Sequence, residues 1–234
     1  MKTISNILTV IAAVFAFGAI DHSARAQAPE EKPEVGFIRI VNAVAPGDGR
    51  TTFLLDGEDL SPAGYELGQK TGGLGIKAGP HTVTIKKNGV EPGTTKLTVV
   101  KDETVTLIGF GEKMPQKKAD DPPRWETKVL RLKQSDAESG YRLAVISLCQ
   151  NEEIALAVEF LGRDKTDKLI AKRMVVTTMP LGKSRPEILI KHEEQTLASL
   201  APETPGNYVV VLYEDNLAKI KALSFRDPKF LFAN

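Results

Sequence analysis

The feature that most limits how this chain can fold is a set of short β-branched runs recurring at one fixed spacing. FIRIVNA begins at Phe37 and RLAVISL at Arg142; FLLDG ends at Gly57 and VEFLG at Gly162. TVTIKKNG starts at Thr82 and EILIKHEE at Glu187; TVTLIGFG starts at Thr104 and VVVLYED at Val209. Members of each pair lie 105 positions apart. Identities are few, Gly57 with Gly162 and Ile85 with Ile190 among them. The apolar positions nevertheless keep a common register, as duplicated supersecondary units do. A further pair, KVLRLKQ from Lys128 and KALSFRD from Lys221, follows at a smaller offset.

The runs themselves predict strands. Val83 and Ile85 alternate with Thr82, Thr84 and Lys86, and Leu97 and Val99 with Thr98. That is the period of a strand with one wet face. Turn dipeptides separate the runs at Asp56-Gly57, Asn88-Gly89, Lys101-Asp102 and Gly206-Asn207. No stretch keeps a long period near 3.6, and the β-branched tail of DKLIAKRMVV, from Asp167, favours a strand there too. The expected fold is all-β: two tandem antiparallel β-sandwiches, Ig-like in architecture, over residues 35–136 and 139–228. The small, polar stretch QSDAESG links them. A domain of about 100 residues buries roughly two-thirds of its unfolded surface, so each copy is expected to fold alone.

The N-terminus reads as a removable leader. Lys2 precedes an apolar run from Ile7 to Ile20, and SARAQA then places small residues at Ala24 and Ala26. This is the pattern of a secretory signal peptide over residues 1–26, and the run is short for a membrane span. Residues 27–34, rich in Pro and Glu, are expected to be a disordered linker. No later segment is long and apolar enough to span a membrane as a helix. The chain is therefore expected to be exported, to a periplasm or to the outside. Its formal net charge is +1, and cleavage, which removes Lys2, Arg25 and Asp21, brings acidic and basic residues into balance. A neutral surface gives no electrostatic reason to expect nucleic acid as a partner. The single cysteine, Cys149, lies in the apolar run YRLAVISLCQ. It excludes an internal disulfide and reads as a small buried hydrophobe.

The series IRIVNA, FLLDG, IKAGPHTVTIK and TVTLIGFG resembles a family of secreted bacterial β-sandwich repeats known only as a domain of unknown function. That family runs through a VRVVHAS-like first strand, a V-Y-V-D-G strand and turn, an AG-Y-V-V hairpin strand and a TVVAVG-like last strand. The LLDG and AGPHTVTIKKNG stretches also resemble small PEGA-type surface domains. The resemblance covers most of residues 36 to 111. The second copy keeps the strand pattern but has FLG and LGKS where the first has its DG and AG turns. The resemblance implies a β-sandwich and brings no catalytic residues with it.

Candidate chemical residues are sparse. His81 follows Gly79-Pro80 with the parity of Val83 and Ile85, so it reads as architecture at a strand start. No H-x-H, H-E-x-x-H or C-x-x-C spacing is present, so neither a metal site nor a cofactor is expected. TGGLG, from Thr71, lacks the lysine and helix of a phosphate loop. Ser61, Ser147, Ser184 and Ser199 lack a G-x-S-x-G context. The acid pairs Asp120-Asp121, Glu152-Glu153 and Glu193-Glu194 read as solvated turn charges. No catalytic residue is assigned. The remaining candidate is Trp125, the only tryptophan, beside Arg124 in a stretch from Glu112 to Thr127 that is longer than its counterpart. An indole next to a guanidinium suits contact with a protein or a glycan. The expected role is a non-catalytic exported module; the alternative is a secreted hydrolase with a site at the domain junction. Mass spectrometry of exported protein should find Gln27 at the N-terminus, and a soluble mature product that keeps Met1 would contradict the leader.

Overall fold

Among the residues that the computed structural model describes, every regular element is a strand. The structure describes residues 34–116, 118, 121–135, 140–182, 186–227 and 230–233. The predicted signal peptide and all of the predicted linker except Glu34 lie outside these residues. So do Asp120, residues 136–139 of the linker between the copies, and Ser184.

The first half contains β1 (Val35–Ala43), β2 (Asp48–Leu55), β3 (Glu58–Asp59), β4 (Leu74–Lys77), β5 (Gly79–Asn88), β6 (Val90–Val99), β7 (Thr104–Lys113) and β8 (Trp125–Ser135). They pair in the order β3-β2-β5-β6-β8-β7-β1-β4. The second half contains β9 (Tyr141–Ser147), β10 (Glu153–Phe160), β11 (Thr166–Lys172), β12 (Val176–Pro180), β13 (Ile188–His192), β14 (Gln195–Leu200), β15 (Gly206–Glu214) and β16 (Ile220–Asp227). These form two sheets, β11-β10-β13-β14 and β12-β9-β15-β16. A last strand, β17 (Phe230–Ala233), returns to the first half and pairs antiparallel with residues 132–135 of β8.

The halves share a pairing scheme. Phe53 faces Ile85 in the first, and Val158 faces Ile190 in the second, each 105 positions on. Ile85 faces Gly93, and Ile190 faces Ala198, at the same spacing. The other sheets depart from it. Ile40 pairs with Leu107, but its counterpart Val145 pairs with Val210, two residues before the expected Leu212. A slip of two leaves every side chain on its original face, so hydrophobic patterning does not oppose it. The sheets are also not purely antiparallel as expected. β1 runs parallel to β7 and β9 to β15: the chain passes through β2, β5 and β6, or β10, β11, β13 and β14, before it returns, and of the intervening strands only β4 and β12 pair with β1 and β9. Gly206-Asn207, expected as a turn, begins β15 instead.

Burial separates into three layers of apolar side chains. Ile38, Ile40, Phe53, Val83, Ile85 and Leu107 fill the first half, where the Phe53 and Tyr65 rings meet edge to face at 5.3 Å. Leu143, Val145, Ile154, Val158, Ile188 and Val210 fill the second. The middle layer joins them. Val41, Ile108, Phe110, Leu130 and Leu132 on β1, β7 and β8 meet Ala144, Ile146, Val209, Val211 and Phe225 on β9, β15 and β16. The sheet of the first half folds over where β6 and β8 share one residue pair, Glu91 with Glu126, so its two arms and the two sheets of the second half enclose three cores.

Ion pairs mark two ends of the middle layer. Arg39 on β1 pairs with Asp227 at the end of β16, whose side chain is fully buried and also accepts from Gln134 Nε2 at 3.0 Å. Arg173 Nη2 donates to Glu112 Oε1 at 2.5 Å. Arg39 is in register with Thr106. Six residues, or about 20 Å along β7, separate Thr106 from Glu112. Removing one member of a buried pair strands the other, at about 3–5 kcal/mol. Expressed alone, residues 35–136 keep their own core but lose Asp227, Arg173 and the apolar partner face. The fragment should retain β-type circular dichroism and self-associate in sedimentation velocity. A monomeric fragment with a cooperative melt would show that the middle layer is dispensable to the first half.

Candidate functional site

The DG turn predicted at Asp56-Gly57 forms as expected, with φ of 51° and 90°. It places Asp56 against the start of β5. Asp56 Oδ1 accepts the Thr82 N–H at 2.7 Å, and Oδ2 meets His81 Nδ1 at 2.7 Å. His81 Nε2 lies 2.7 Å from the Lys77 carbonyl oxygen. Both ring nitrogens therefore face acceptors, which suits the doubly protonated ring. The bond to Asp56 raises the His81 pKa most, against a smaller opposing effect of burial. The Thr82 N–H, then His81, hold the Asp56 carboxyl below its ordinary value. The ring fastens three segments, and neither nitrogen is left to face a substrate.

Trp125 and Arg124 stand at the other end of the first half. Trp125 is not in a loop; it is the first residue of β8 and pairs with Lys113. The loop is shorter than the sequence suggested and spans residues 114–124. It is tied at its base by Met114 N–H to Arg124 O at 2.8 Å and within by Lys118 N–H to Asp121 Oδ2 at 3.0 Å. The partly buried indole packs beside Gly111. A Cβ there would lie 2.3 Å from Pro46 Cγ and 3.7 Å from the indole edge, so the absence of a side chain lets Pro46 close in. Beyond the indole opens a cleft of about 390 Å³, lined by Val90, Glu91, Pro92, Pro123, Arg124 and Trp125. Arg124 forms an ion pair with Glu91 across its rim, each side chain about half exposed. The structure thus brings the two predicted contact residues into one cleft and supplies Glu91 and Pro92, which sequence reading missed. They lie more than thirty residues away, and no local pattern joins them to Trp125.

A smaller groove of about 200 Å³ lies where the halves meet. Gly93 and Thr127 form its floor, and Glu112, Glu126, Lys128 and Met174 line it. Gly93 is obligatory, because a Cβ would stand 1.7 Å from Thr127 O. Glu112 and Glu126 face each other in register on β7 and β8. Each carboxylate has a cation partner, Arg173 for Glu112 and Lys128 at 2.8 Å for Glu126. Nearby Arg173 Nε donates to the Cys149 carbonyl at 3.0 Å. Cys149 is buried, and burial pushes its thiol pKa up to about 12. A thiol so rarely ionised is a poor nucleophile.

Among the described residues, no group of three or more His, Cys, Asp or Glu side chains could hold a metal ion. Among the described residues no helix is long and apolar enough to cross a membrane, which says nothing about crossing by strands. Comparison with protein-family models and with curated proteins finds no match.

The His81 clamp has a defined pH signature. A raised folded pKa means that stability from the pair is fully present below the ordinary histidine value, about 6.5. It is lost as pH rises through the folded pKa. His81→Gln should therefore lower the melting temperature more at pH 5 than at pH 8. A difference from wild type that is independent of pH would show that the ring is not charged in the folded protein.

Proposed function

We propose that this chain is an exported, non-catalytic β-sandwich protein that holds a partner in the cleft beside Trp125 and Arg124. On this reading residues 1–26 are a cleaved leader, and the product works in a periplasm or outside the cell. The 105-residue correspondence is an ancient duplication of an Ig-like sandwich unit. The shared pairing of the outer sheets supports the duplication, and the resemblance of residues 36 to 111 to secreted sandwich repeats supports export.

The observation that carries the binding role is the cleft itself. A loop longer than its counterpart, tied by its own hydrogen bonds, sets Pro123 and Arg124 beside Trp125 at the start of β8 and against Glu91 and Pro92 at the start of β6, on one concave surface. Such pre-ordering lowers the entropy lost on binding. The hydrolase reading draws on Glu112 and Glu126 in the junction groove. Acid–base work there would first have to release each carboxylate from its cation, so the binding role is the better supported.

The test is a screen of residues 27–234 against glycan and peptide arrays, repeated with Trp125→Ala. Truncating an interface tryptophan often costs about 2 kcal/mol or more, roughly a 30-fold loss of affinity. The variant should lose that much for the partner found. Unchanged affinity with a lowered melting temperature would make Trp125 a plug of the first core and end this reading of the cleft.

A further inference from the structure

We infer that the partner is a neutral glycan, of which one pyranose ring lies on Trp125. This rests on the cleft being the partner site and adds the chemistry of what enters it.

The first argument is charge. The two ionic groups that line the cleft, Arg124 and Glu91, are paired with each other. An anion would have to displace Glu91, and a cation would have to displace Arg124. A neutral ligand leaves the pair intact. The pair still has bonding capacity. The remaining Arg124 N–H donors and the second Glu91 carboxylate oxygen make no other bond among the described residues. A donor and an acceptor side by side match adjacent hydroxyls of a sugar, each of which both donates and accepts.

The second argument is shape. Trp125, Pro92, Pro123 and Val90 supply an apolar surface, and the ionic pair stands at its rim. A pyranose has the complementary form, with a face of C–H bonds and an edge of hydroxyls. Indole combines a broad apolar face with a fixed orientation, so it suits such stacking. The cleft of about 390 Å³ falls within the range of small-molecule sites. An extended proline-rich peptide needs a row of aromatic ridges to dock along. This cleft offers a single aromatic ring.

The third feature makes the test direct. Trp125 is the only tryptophan in the chain, so tryptophan emission reports this cleft alone. Residues 27–234 should be titrated with methyl glycosides of glucose, galactose, mannose and N-acetylglucosamine, with glucuronate and a proline-rich peptide in parallel. At least one neutral glycoside should change the emission saturably, with a Kd on the order of 1 mM for a ligand this small. Arg124→Ala and Glu91→Gln, checked for unchanged circular dichroism, should each weaken it at least tenfold. No saturable response to any neutral sugar, preference for glucuronate, or equal binding by both rim variants would overturn the glycan proposal. A saturable response to the peptide alone would overturn the glycan and leave the partner cleft standing. Failure of the cleft itself is read separately, from Trp125→Ala against the array-identified partner.

Discussion

Through their middles the paired strands β1 and β7 have no water side, and the rest of the molecule follows from that. Ile38, Ile40 and Leu107 point into the first core, while Val41, Ile108 and Phe110 on the same strands point into the middle layer. Strands apolar on both faces must be covered twice, and the second half supplies the second cover. Its own β9 and β15 are built the same way, with Val145 and Val210 on one side and Ala144, Val209 and Val211 on the other. Apolar contact is non-directional and would tolerate sliding. Arg39–Asp227 and Glu112–Arg173 are directional, and they fix where one sheet lies on the other.

The outer and inner sheets differ in how openly the sequence displays them. Thr82–Lys86 alternates because one face is wet, and from it the hairpin, its face and its turns can all be read. Tyr208–Tyr213 does not alternate, because every residue in it is buried. Such an unbroken run is the mark of a strand covered on both sides. It was the available sign that the halves stack face to face. The two-residue slip in β15 left no trace, since it preserves the face of each side chain. The parallel pairings were hidden for another reason: strand patterning carries no direction, and only the path of the whole half decides it.

The candidate site was half legible. A lone tryptophan beside an arginine, in the longer of two corresponding segments, led to residues that share one cleft. The start of β6, which completes the cleft, could not be found that way, because Glu91 meets Arg124 only where β6 pairs in parallel with β8, Glu91 against Glu126. His81 shows the opposite case. Its parity with Val83 and Ile85 predicted a structural residue, and the clamp to Asp56 gives the chemistry. The DG turn is what brings that carboxylate within reach.

The parallel pairing of β1 with β7 sets an order of events in time. Among the described strands β1 is made earliest; β4 can pair with its start, yet Ile40 must wait for Leu107, and Val41 for residues of β9 and β15 beyond it. Contacts this distant in sequence form late, since the loop between them must be closed first. Until then β1 is an exposed ribbon that is sticky on both faces, the kind of segment that pairs with the wrong neighbour. A strand whose C-terminal half is enclosed on both faces in the finished protein is thus left long without shelter while the chain is being made.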